Sequence, residues 1–76
     1  MDALAKLTNH LRRFRFEAGE MSQQELADLV GVSRQTIISI EKGRFQPSVG
    51  LALRLARAFH TTVEQLFELA DGSEEL

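Results

Sequence analysis

The sequence predicts an all-α fold, a compact bundle of five short helices, and three observations support this prediction. Apolar residues recur at spacings of three and four along most of the chain, as they do in helices with one buried face. Serine or threonine precedes most of these runs and glycine follows several of them, which is how many helices begin and end. The single proline lies between two runs, and no run is convincing as a strand.

The first helix is predicted from four apolar residues whose spacing places them on one face: Leu4, Leu7, Leu11 and Phe14. Gly19 follows this run and is expected to end the helix. Arg12 and Arg13 lie outside the apolar face, so both side chains are predicted to face the solvent, with a phosphate contact as the alternative.

The second helix begins with a strong local signal. Ser22 and Glu25 match a capping box, in which each side chain accepts a hydrogen bond from the backbone N–H of the other residue. The helix is predicted over about 23–29, and Gly31 is expected to end it in the left-handed conformation. Its predicted core residues are Leu26, Ala27 and Leu29.

The third helix follows almost immediately, with Ser33 as its predicted N-cap and Gly43 at its end. Ile37 and Ile40 are three residues apart and are expected to face the core. Another face is left for five residues that point outward: Arg34, Gln35, Ile38, Ser39 and Lys42.

Two further helices are predicted after the proline. Ser48 caps the fourth, over about 49–59, whose expected core residues are Leu51, Leu55 and Phe59. Thr62 begins the fifth, whose expected apolar stripe comprises Val63, Leu66, Phe67 and Leu69. The folded domain is therefore predicted over 1–70, and the acidic segment 71–76 is predicted to be a frayed tail.

Composition and charge exclude several classes of protein. The 76 residues include no Cys, so disulfides and thiol chemistry are excluded, and neither His has a partner at a metal-binding spacing. No apolar run is long enough to suggest a membrane span. The net charge is −2, yet residues 1–60 hold all nine Lys and Arg beside six acids, whereas 61–76 hold five acids alone. A mildly basic body is thus predicted, with an acidic end.

The closely spaced second and third helices predict a specific function. Two short helices joined by a tight turn that contains glycine form a helix-turn-helix unit, whose second helix enters the major groove of DNA. Here Ile37 and Ile40 would hold that helix on the core, while its polar face remains available to base pairs.

The segment SQQELADLVGVSRQTIISIEKGRFQPS also resembles the DNA-binding domain of the Cro and phage-repressor class of bacterial regulators, the XRE family. The resemblance covers about residues 5–69 and implies a lambda-repressor-like fold. It implies a phosphate contact for Gln23 and for the cations near the end of the third helix. The residues that it implies at base edges or phosphates are Gln23, Ser33, Arg34, Gln35, Ser39, Lys42 and Arg44.

Four other positions matter to the resemblance. Arg15 and Glu41 match a pair that forms a partly buried salt bridge in similar proteins. Ile38 stands where the family usually has a polar residue, and both a thymine contact and a packing role are open to it. His60 replaces the glycine that is common after the fourth helix, which predicts local strain or a shifted cap.

The sequence therefore predicts a cytoplasmic, sequence-specific transcriptional regulator, with repression favoured over activation. A homodimer that reads an inverted repeat in double-stranded DNA is expected, with the apolar stripe of the fifth helix as the predicted contact between protomers. No cofactor, metal, membrane or small-molecule effector is expected, and no acid–base pair suggests an enzyme. The alternative is a protein-interaction module, such as an antitoxin that also binds its own promoter.

Overall fold

The computed structural model describes residues 7–69 and contains five helices and two short strands. In chain order the elements are β1 (Leu7–Asn9), α1 (Leu11–Glu17), α2 (Gln23–Val30), α3 (Arg34–Glu41), α4 (Val49–Ala58), α5 (Val63–Leu66) and β2 (Phe67–Leu69). None of the helices in this part of the chain is long and apolar enough to cross a membrane.

The capping residues begin the helices where the sequence predicts. The side chains of Ser22, Ser33, Ser48 and Thr62 each accept a hydrogen bond from the backbone N–H three residues later. At Ser22 the reciprocal bond from its own N–H to the Glu25 carboxylate completes the capping box. Each such side chain satisfies one of the N–H groups that a helix start leaves without a partner.

The core lies between the helices, and α2, α3 and α4 contribute most of it: Leu26, Ala27, Val30, Ile37, Ile40, Leu51, Ala52, Leu55 and Ala56. The prediction that Leu29 is buried is wrong, since its side chain is 62% exposed. At 3.6 residues per turn Leu29 points roughly 100° away from the centre of the face formed by Leu26, Ala27 and Val30. Val30 occupies the core instead.

The fold is not strictly all-α, because the two ends of the described chain pair as an antiparallel two-stranded sheet. Leu7 pairs with Leu69 and Asn9 with Phe67. Leu7 therefore belongs to a strand and not to the predicted first helix, and the predicted Leu4 lies outside the described residues. Leu7 and Leu11 are four residues apart, a spacing that places both on the same face in a helix and in a strand. Periodicity therefore does not distinguish the two conformations here.

The last helix is shorter than predicted, because the chain becomes extended after Leu66. Leu66 and Phe67 are buried in the core, while Leu69 is exposed on β2. The prediction that these residues form one exposed helical stripe is wrong, and Leu66 and Phe67 pack in the core where the prediction placed them between protomers. The acidic segment 71–76 lies outside the described residues.

Left-handed residues follow helices α1 to α4, and two of them, Glu20 and His60, are not glycine. Gly31 and Gly43 have φ values of +78° and +76°, in agreement with the sequence. His60 has φ +56° at the end of α4, where the Thr61 N–H donates to the Ala56 carbonyl at 2.9 Å and the His60 N–H donates to Arg57. This is a Schellman ending, with histidine at the position that usually holds glycine.

We expect His60→Gly to raise the free energy of unfolding by about 0.5–1 kcal/mol. A residue with a β-carbon loses about 1–2 kcal/mol in the left-handed conformation, and the greater freedom of glycine in the unfolded chain offsets part of the gain. Urea denaturation measures the change. Gly31→Ala is the reverse control: an added β-carbon there meets no atom within 4 Å, so only the backbone conformation opposes it. A shift of both variants in the same direction would contradict this explanation.

Candidate nucleic-acid interface

The α2–α3 unit holds one short helix against the core and leaves its outer side open. Gly31 turns the chain after α2, Val32 packs against the core, and Ser33 caps α3 one residue later. Ile37 and Ile40 are 0% and 1% exposed, so they anchor α3 from beneath. The anchored helix is eight residues long, which is about two turns and about 12 Å.

The predicted contact residues fall into two groups by exposure. Five are exposed around α3 and the turn after it: Ser33, Arg34, Gln35, Lys42 and Arg44. Three are half-buried: Gln23, Ile38 and Ser39. Together they surround the outer side of α3, from its N-cap to the residue after Gly43. No bound nucleic acid is present, so their roles in DNA contact stay predictions.

An open pocket lies beside the second half of α3, and it explains why Ile38 is only half-buried. Side chains from three helices line this pocket: Arg12, Arg15, Gln23, Ile38, Glu41 and Lys42. Ile38 therefore lies between the core and the outer surface, partly packed and partly open. The prediction left packing and groove contact as alternatives, and this position is compatible with both.

A hydrogen-bonded ion pair lies at the base of this pocket. The Arg15 guanidinium donates to both carboxylate oxygens of Glu41, with Nε to Oε2 at 2.7 Å and Nη2 to Oε1 at 3.0 Å. The two side chains are only 14% and 10% exposed. Arg15 also donates to the Met21 carbonyl at 2.8 Å, and the Gln23 amide donates to Glu41 at 3.1 Å. One carboxylate thus joins α1, the start of α2 and the end of α3.

Arg12 is a further candidate contact residue, for which the sequence prediction favoured the solvent face and gave a phosphate contact only as the alternative. It is exposed and lines the same pocket as Gln23 and Lys42. The signal was present, because Arg12 and Arg15 are three residues apart and therefore share a helix face. Once Arg15 pairs with Glu41 on α3, Arg12 must lie on the side of α1 that faces α3. Arg13 instead faces Glu17, one turn further along α1, with 4.0 Å between Arg13 Nε and Glu17 Oε2.

Within residues 7–69 no group of three or more His, Cys, Asp or Glu side chains is placed so that it could hold a metal ion. His10 Nε2 lies 3.0 Å from the Glu68 carboxylate, which links the start of α1 to β2. His60 is exposed at the end of α4.

A short helix that a tight turn holds outward from a rigid core, with polar side chains along its open side, defines a helix-turn-helix DNA-binding domain. The family model described as "Helix-turn-helix" matches residues 11–66, which is most of the chain. The protein therefore belongs to the helix-turn-helix family of XRE-type transcriptional regulators.

Similar proteins from several organisms agree with this assignment. A helix-turn-helix-type transcriptional regulator of Archaeoglobus fulgidus is 46% identical over 70 residues, covering 92% of this chain and 96% of its own. One from Methanothermobacter thermautotrophicus is 50% identical over 66 residues, covering 84% and 94%. The crystal structure of the restriction-modification controller protein C.AhdI from Aeromonas hydrophila has a TM-score of 0.67 at 33% identity, covering 72% of this chain and 82% of that chain. The family implies DNA binding and transcriptional regulation, and it is not a family of enzymes.

The ion pair generates a stability prediction. We expect Glu41→Ala to lower the free energy of unfolding by about 3–5 kcal/mol, because it leaves the Arg15 guanidinium largely buried without its partner. The double variant Arg15→Met/Glu41→Leu removes both charges and keeps similar volume, so it is expected to lose much less. Urea denaturation of the two variants measures the difference. Equal losses in both would show that lost packing, and not an uncompensated charge, causes the effect.

Proposed function

We propose that the protein is a sequence-specific repressor that places α3, with its cap Ser33 and the following Lys42, in the major groove of double-stranded DNA. The observation that supports this proposal best is the two-sided character of α3. Ile37 and Ile40 are fully buried, while Arg34 and Gln35 are exposed with no partner among the hydrogen bonds and ion pairs of residues 7–69. The major groove is about 12 Å wide and accepts one such helix.

The exposed side chains suit different parts of the DNA. A guanidinium binds guanine O6 and N7 in a bidentate manner, and a carboxamide does the same with adenine N6 and N7. Arg34 and Gln35 are therefore the proposed readers of base edges, with Ser33 and Ser39 beside them. Ile38, which lines the pocket next to them, offers an apolar edge that matches a thymine methyl group.

The cations and amides around the pocket suit phosphates. Arg12 and Lys42 are exposed on its two sides, and Arg44 follows in the turn after α3. Gln23 is the first residue of α2, where free backbone N–H groups attract an anion. Its side-chain amide donates one hydrogen bond to Glu41, and the second N–H of that amide remains for a phosphate oxygen.

We further propose that the protein acts as a homodimer on an inverted repeat, because one helix of eight residues supplies few base contacts. A groove between α4 and α5 offers a surface for a second copy: Val49, Ala52, Leu53, Ala56 and Val63 line it, with Arg57 and Glu64. Val49 is 77% exposed and Leu53 56% exposed. In a two-fold interface each residue meets its partner reciprocally, so Arg57 of each protomer can lie against Glu64 of the other.

Repression is the proposed outcome because a bound dimer that covers a promoter excludes RNA polymerase sterically. Such exclusion needs only tight and selective occupancy of the operator. The expression of a reporter gene placed behind a selected site measures repression, and increased expression in the presence of the protein would contradict this part of the proposal.

We expect Arg34→Ala to lose about 1–3 kcal/mol of affinity for a selected duplex and to relax one base preference. Arg12→Ala and Arg44→Ala should weaken selected and random duplexes alike and reduce the salt slope by about 1, since phosphate contacts carry no base information. Fluorescence anisotropy at several salt concentrations separates these effects. Arg13→Ala removes a neighbouring charge outside the pocket and should leave the affinity for both duplexes and the salt slope unchanged. Equal losses for Arg34→Ala on both duplexes would contradict this assignment of roles.

The dimer surface gives a separate prediction. Leu53→Glu places a charge in the α4–α5 groove and should convert the dimer to a monomer, because an unpaired buried carboxylate is costly to desolvate. Leu29→Glu is the matched control, since Leu29 is similarly exposed but lies in a different pocket, beside Met21 and Asp28. Sedimentation equilibrium at micromolar protein measures both. A monomeric wild-type protein, or dissociation by Leu29→Glu alone, would refute the proposed interface.

A further inference from the structure

We propose that Asn9 is a positioning residue for the DNA-reading helix, because its side-chain amide joins the terminal strand pair and the start of α1 to the end of α3. The Asn9 Nδ2 group donates to the Ile40 carbonyl at 2.9 Å. Its Oδ1 accepts from the Leu11 N–H at 3.1 Å. The inference rests on the proposed function, since α3 is the helix that we propose to enter the groove.

The two partners of Asn9 define which side chain can occupy this position. A backbone carbonyl needs a donor and a backbone N–H needs an acceptor, and a short carboxamide carries both in one planar group. Aspartate would keep the acceptor for Leu11, and it is a good residue at a helix start. It would, however, place a second oxygen against the Ile40 carbonyl. Aspartate at this position therefore loses the link to α3 and adds a charge, whereas alanine loses the link without adding one.

The other end of the link is itself held firmly. Asn9 pairs with Phe67 in the β1–β2 sheet, and the next residue, His10, donates its N–H to the Leu66 carbonyl at 2.8 Å. Phe67 is buried, and it lines one small crevice with Asn9, Ile40 and the segment after α3. The position of the amide is therefore set by the sheet. Through the Ile40 carbonyl it restrains the last turn of α3, which carries Ser39 and leads into Lys42.

The loss of this link should not prevent folding. The Ile40 carbonyl also accepts from the Gly43 N–H at 3.0 Å, so it keeps one partner when Asn9 is replaced. The cost of a buried orphan carbonyl is thereby avoided. Variants at Asn9 are expected to fold with α3 present but less closely held at its end, which allows binding to be measured on folded protein.

The test compares Asn9→Asp and Asn9→Ala with the control Thr8→Ala. Thr8 lies next to Asn9 on β1, and its hydroxyl donates to the Glu68 carbonyl across the sheet, not to α3. Anisotropy titrations use a duplex selected from a random pool and a random duplex. Both Asn9 variants should lose affinity for the selected duplex by about fivefold, the value of one neutral hydrogen bond, and less than about twofold for the random one. Thr8→Ala should change the affinity for neither duplex.

Three results on DNA would overturn the inference. Unchanged affinity in both Asn9 variants would show that the link does not matter to recognition. Equal losses on the two duplexes would show general weakening, and a loss in Asn9→Asp alone would show an effect of the added charge. Each of these outcomes is distinct from the expected loss of discrimination in both variants.

A measurement without DNA keeps this inference separate from the proposed function. Amide hydrogen exchange of the free protein, followed by NMR, reports the opening of the bonds made by the Lys42, Gly43 and Arg44 N–H groups at the end of α3. Exchange there should be faster in both Asn9 variants than in wild type or Thr8→Ala, and unchanged exchange overturns the link. If the wild type shows no sequence preference, the proposed function fails, while this exchange result still decides whether Asn9 holds α3.

Discussion

The bidentate pair between Arg15 and Glu41 is the interaction on which the arrangement of the first three helices depends. Glu41 is the last residue of α3, where the negative end of the helix dipole disfavours a carboxylate. The guanidinium offsets this cost, and the Gln23 amide adds a third donor from α2. Because the pair is nearly excluded from water, its geometry is held closely. The C-terminal end of α3 is therefore linked to α1 and α2 through that one carboxylate.

The N-terminal end of α3 is positioned by a different kind of contact. Gly31 reverses the chain in the left-handed conformation and Ser33 closes the first turn of α3 with its hydroxyl, while Ile37 is fully buried below. Polar contacts hold one end of the helix, and backbone geometry with packing holds the other. Within residues 7–69 this combination leaves Arg34 and Gln35 exposed and without a structural hydrogen bond, so both side chains are available to recognise a partner.

The sequence predicts the structure correctly where a few neighbouring residues decide it, and it does not predict the structure where distant residues decide it. The caps at Ser22, Ser33, Ser48 and Thr62 depend on partners three residues away, so the sequence contains the whole interaction. The β1–β2 pairing joins Leu7 to Leu69, and no local pattern records such a partner. The same limit applies to the site. The outward-facing side of α3 followed from its period. The hydrogen bond between Asn9 and Ile40 joins residues 31 positions apart, and the pocket that Arg12 shares with Gln23 forms between different helices, so both depend on packing.

The charge distribution explains how a protein with a net charge of −2 can still suit a polyanion. Only the side that approaches DNA matters at short range, because charges more than about 10 Å apart are largely screened at ordinary salt. Around α3 the exposed charges are positive, with Arg12, Arg34, Lys42 and Arg44, and the one acid, Glu41, is neutralised by Arg15. Glu25 and Asp28 line a separate pocket with Leu29, and Glu68 lies on β2 beside His10. In the proposed complex these cations supply attraction to phosphates, which carries no base information, so selectivity would come from the few side chains on α3 and from the contacts that hold that helix in register with the bases.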